Sequence, residues 1–77
     1  MEQNSNNQPP PKTRQQNAAE FNTTVKILNT QIEYFELDIP EGILLFPKQQ
    51  KLIYEALGYP NSVNKEDYKN VWRQLWA

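Results

Sequence analysis

Four carboxylates, Glu33, Glu36, Asp38 and Glu41, stand within nine residues that hold no lysine or arginine, the densest set of chemically active side chains in the sequence. Paired carboxyls can serve as acid and base in glycoside cleavage, and several together can ligate a hard cation. The spacing suits neither use. A calcium loop alternates oxygen ligands around a central glycine and closes on a glutamate, which residues 33–41 do not do. A chain of 77 residues also has little room for both a core and a substrate cleft of several hundred cubic ångströms. The acids are expected to form a solvated face, with a patch for a basic partner as the second reading.

Other reactive groups are scarce. Histidine and cysteine are absent, which removes disulfides, thiolate nucleophiles and the imidazole ligands of most zinc and copper sites. Gly42 and Gly58 are the only glycines, too few for a phosphate-cradling loop. No catalytic residue, metal ligand, cofactor or small-molecule substrate is therefore expected, and the chain reads as a non-enzyme.

The C-terminal residues offer binding chemistry instead. Tyr68, Trp72 and Trp76 are four residues apart, so a helix stacks them in one row with Val71 and Leu75 beside them. In a small domain such aromatics usually make the core, each burying roughly 150–250 Å². Trp76 sits one residue from the end of the sequence, where burial is hard to achieve, and tryptophan often carries interface energy. Ile43, Leu44, Leu45 and Phe46 form an apolar run without polar relief, which implies burial on both faces or contact with a partner. Phe46, Tyr68, Trp72, Leu75 and Trp76 are thus the candidate protein-binding residues. Opposite them, Lys65, Lys69 and Arg73 share a helix face and would be the DNA-reading row of a helix-turn-helix. Glu66 and Asp67 place negative charge where that helix would meet bases, so nucleic acid is the weaker reading.

Composition agrees. Eight Lys/Arg against nine Asp/Glu give no field that would steer the chain to phosphate or an anionic membrane. No apolar stretch approaches the ~18 residues of a membrane span, and the N-terminus lacks the basic start and apolar core of a signal peptide. A cytoplasmic location is expected. Frequent Asn, Gln, Lys, Ile and Tyr suit an AT-rich genome such as that of a bacteriophage or plasmid.

The elements that must position these residues follow from local pattern. Residues 1–17, rich in Asn, Gln and Pro, carry one apolar side chain, Met1, and read as a disordered arm; Pro9, Pro10 and Pro11 with Lys12 and Arg14 could also form a proline-rich ligand. Residues 18–77 form one small domain. Ala18, Phe21, Val25, Leu28, Ile32 and Phe35 recur at helical spacing and predict a helix over about 18–35, whose stripe could also mediate homo-oligomerisation. The β-branched Thr23, Thr24, Val25, Ile27, Thr30 and Ile32 leave a strand hairpin open there. Beyond Pro40 and Gly42, residues 35–39 and 43–46 could pair as a short hairpin. Pro47 suits a first helical turn and Gly58 a stop, predicting a helix over 47–57. Asn64, accepting from the Asp67 amide, caps a third helix over about 65–76. The fold class is mainly α with three helices; the alternative is α+β, a β-meander followed by two helices. A domain of about sixty residues hides only ~60% of the surface its unfolded chain exposes, so support from a partner is expected. The function read from these features is a non-catalytic interaction module, an adaptor, inhibitor or assembly factor, that binds a protein.

Overall fold

Helix formation starts earlier than the apolar periodicity suggests. A computed structural model describes residues 9–42, 44–69 and 71. Their elements are β1 (Lys12–Thr13), α1 (Arg14–Glu20), α2 (Val25–Tyr34), β2 (Leu44–Leu45), α3 (Pro47–Leu57) and a 3-10 turn over Lys65–Tyr68. The domain is mainly α, as the sequence implies.

The helix expected over 18–35 is two helices, and threonine and asparagine chemistry divides them. Thr13 and Gln16 form a capping box: the Gln16 amide donates to Thr13 Oγ1 at 3.0 Å and the Thr13 amide donates to Gln16 Oε1 at 2.8 Å. α1 then closes in a Schellman turn, with Asn22 left-handed at φ 57°. The Asn22 amide donates to the Ala19 carbonyl and the Thr23 amide to the Ala18 carbonyl, both at 3.0 Å. Thr24 caps the next helix by accepting from the Ile27 amide at 3.2 Å. The same closure recurs after α2, where Glu36 adopts φ 54° and the Leu37 amide reaches the Ile32 carbonyl at 3.0 Å. The strand-hairpin alternative for this region is thereby set aside.

Lys12 to Asn17, which the sequence places in a loose arm, are a strand and the first helical residues. Order here comes from polar contacts, which an apolar count does not register. Asn17 is fully buried, and the Pro10 carbonyl accepts from Gln50 Nε2 at 2.9 Å. Residues 1–8 lie outside the described residues.

β2 pairs antiparallel with β1, Lys12 opposite Leu45 and Thr13 opposite Leu44, so residues 35–39 are not its partner. Leu37 and Ile39 instead pack against the core. The apolar run is not buried on both faces either. Strand alternation turns Leu45 fully inward and leaves Leu44 and Phe46 47% and 52% exposed.

α3 occupies Pro47–Leu57 as predicted, with Pro47 in its first turn and Gly58 ending it at φ 96°, a conformation that favours glycine. One side of the helix closes an aliphatic core of Ala18, Leu28, Ile32, Leu45 and Ile53. The other joins Tyr54 to Tyr68 and Val71, and Phe21 packs against both clusters. The stripe proposed for self-association is therefore consumed inside: Leu28 and Ile32 are buried, while Phe35 at its end is exposed. Burying each large aliphatic side chain contributes roughly 1.5–3 kcal/mol.

Candidate functional site

Two places in the described structure bring polar or apolar groups together in a way that could do chemistry. The first lies between α1 and α3. Lys12 Nζ donates to the Tyr54 hydroxyl at 2.9 Å and pairs with Glu20 Oε2. Asn17 Nδ2 donates to both Glu20 Oε1 and the Tyr54 hydroxyl at 3.2 Å, and the Tyr54 hydroxyl donates to Glu20. A second knot adjoins it: the Tyr68 hydroxyl donates to Gln50 Oε1, Gln50 Nε2 donates to the Leu45 carbonyl at 2.7 Å, and Lys51 Nζ donates to the Tyr68 carbonyl at 2.8 Å.

Electrostatics make the first cluster a clasp. Burial, then the hydrogen bond to Glu20, pushes the Tyr54 phenol up, and burial raises that of Tyr68. Both phenols stay protonated at neutral pH, so Tyr54 acts as a hydrogen-bond donor to a carboxylate rather than as a base. The Glu20 carboxylate and the Lys12 ammonium are spent on each other and on Tyr54. Lys12 and Arg14, read in the sequence as flanks of a proline-rich ligand, are thus internal fasteners.

The second place is the surface over residues 40–46. Pro40, Gly42, Leu44, Phe46 and Gln49 line an open, largely apolar hollow of about 500 Å³ rimmed by Glu41. Arg14, projecting from α1, holds this segment in position. Its Nε donates to the Gly42 carbonyl at 3.1 Å, Nη2 to the Pro40 carbonyl at 3.0 Å and Nη1 to Asn29 Oδ1 at 2.9 Å. The Phe46 amide is satisfied by Gln49 Oε1 at 2.9 Å, which fixes the backbone beside the exposed ring.

The acids expected to form a solvated face are partly gathered. Glu33, Glu36 and Glu41 line an adjoining hollow of about 480 Å³ with Arg14, Ile32, Leu37 and Ile39, whereas Asp38 is exposed elsewhere. Among the described residues, no three of His, Cys, Asp or Glu are grouped so that they could hold a metal ion.

Among the candidate protein-binding residues, Phe46 is exposed. Tyr68 is not available to a partner: it is 1% exposed, with its ring edge-on to Tyr54 at 5.1 Å, because a small core needs its bulk. Trp72, Leu75 and Trp76 lie outside the described residues. In the basic row, Lys65 lies 5.9 Å over the Tyr59 ring and Lys69 pairs with Glu66 at 3.0 Å, while Arg73 lies outside the described residues. Asn64 caps by accepting from the Glu66 amide at 3.0 Å; the Asp67 amide bonds to its carbonyl instead of its side chain. No described helix is long and apolar enough to cross a membrane.

Sequence reasoning placed Leu44 in the 43–46 contact run without singling it out, and read Arg14 as the flank of a proline-rich ligand rather than as a fastener. Alternation around Leu45 could have flagged Leu44. The carbonyl partners of Arg14 leave no trace in the sequence. Comparison with protein-family models, with curated proteins and with solved structures found no match.

Proposed function

We propose that this chain is a non-catalytic interaction module that binds a protein partner across the surface formed by Pro40, Gly42, Leu44 and Phe46. One observation carries the reading. Leu44 and Phe46 stand half-exposed on either side of a fully buried Leu45, on a backbone pinned by Arg14 and Gln49. Large apolar side chains carried on a backbone already held in place need less ordering when covered, which is what a contact surface requires. Trp72, Leu75 and Trp76 stay proposed as protein-binding residues on sequence grounds alone, and Tyr68 is withdrawn from that set. The lack of cysteine agrees with action in a reducing compartment, and a cytoplasmic location is proposed on that basis.

The test is affinity capture from the native source with the full chain and with Leu44→Asp and Phe46→Asp variants whose circular dichroism is unchanged. Specific loss of one captured protein from both variants is the expected result. Retention of every captured protein by both variants overturns the reading.

A further inference from the structure

Resting on that surface, we propose a chemistry for what covers it: a partner peptide segment with an apolar or aromatic anchor flanked on one side by lysine or arginine. The apolar hollow formed by Pro40, Leu44 and Phe46 accepts the anchor. Glu41 and Gly42 line both this hollow and the neighbouring one, so the two adjoin, and the second is lined by Glu33, Glu36 and Glu41.

Charge decides the occupant. Among the described residues lining the two hollows, Arg14 is the only cation, and its three donor nitrogens go to two carbonyls and an amide oxygen. Among the described residues no ion pair engages Glu33, Glu36 or Glu41. Three carboxylates against one guanidinium leave an acidic field beside the anchor pocket. Nucleic acid is repelled by it, and an acidic peptide loses its charge pairing. A basic segment gains three rim contacts and is steered toward the hollow. A second copy meeting this face with its own would set carboxylates against carboxylates, which opposes that pairing.

The experiment selects displayed random peptides on the full chain, with counter-selection on Phe46→Asp. Enriched peptides should pair Phe, Trp, Tyr or Leu with neighbouring Lys or Arg. The strongest, made synthetically, should shift the amide resonances of Glu36, Gly42, Leu44 and Phe46. Its affinity should fall about tenfold or more in a folded Glu33→Gln, Glu36→Gln, Glu41→Gln variant, and should weaken as salt is raised. Neutral or acidic peptides enriched at the same amides overturn the charge assignment while leaving the contact surface intact. No enrichment over Phe46→Asp, or sedimentation showing only self-association through this face, overturns the proposal.

Discussion

Tyr54 anchors the polar half of the interior: its hydroxyl accepts from Lys12 and Asn17 and donates to Glu20. Asn17 Oδ1, beside it, is buried without a hydrogen-bond partner, so the knot is already one bond short. Replacing Tyr54 by Phe strands further groups and should cost about 1–3 kcal/mol, read from the urea midpoint. Alkaline stability is set here too. An unfolded phenol ionises from its ordinary value of 10.0, whereas burial holds Tyr54 and Tyr68 above it, and burial with the Glu55 hydrogen bond pushes Tyr59 up to about 12. A raised folded value means the stabilisation is full below pH 10 and is lost as pH climbs to 12 and beyond. Phenolate absorbance from the buried rings should therefore rise together with loss of near-ultraviolet dichroism. Early, separate ionisation would refute this.

At the scale of elements, what could be read in advance was what is locally encoded. Pro47 and Gly58 mark the ends of α3, and its bounds follow from them. The Thr13–Gln16 capping box carries the sequence signature of a helix start, but the polar composition around it obscured the signal. Of the threonines that argued against a helix over 18–35, Thr24 marks a cap, while Thr30 sits within α2 and donates its hydroxyl to the Lys26 carbonyl. Glu36 is the costly position: a left-handed glutamate at a helix end strains a backbone that glycine adopts freely. Glu36→Gly should thus stabilise the fold by about 1 kcal/mol in thermal melts. If the acidic hollow receives a basic segment, the same change should weaken that binding, separating stability from use at one residue.

At the scale of the whole molecule, the features that eluded the sequence are those joining distant residues. β1 meets β2 across the chain, and Pro10, Lys12 and Asn17 fasten to α3. Neither pairing follows from periodicity, since two-residue strands are too short to show alternation. The mainly α class was legible; the inward position of Tyr68 and the pinning of residues 40–42 by Arg14 were not. Removing residues 1–13 should abolish the cooperative calorimetric transition, because the edge of β2 and the Tyr54 clasp lose their partners together. A shortened chain that melts like the full one would mean those contacts are ornamental.

The fastening of Lys12 to Tyr54 also bears on the order of assembly. The two are 42 residues apart, and at a synthesis rate of ~5–20 residues per second the first must wait about 2–8 s for the second to be made. During that wait α1 has its caps and its packing on α2, but its polar side lacks Tyr54. The polar side of that early segment is thus among the last parts to be secured, and Lys12, Asn17 and Glu20 meet water for those seconds.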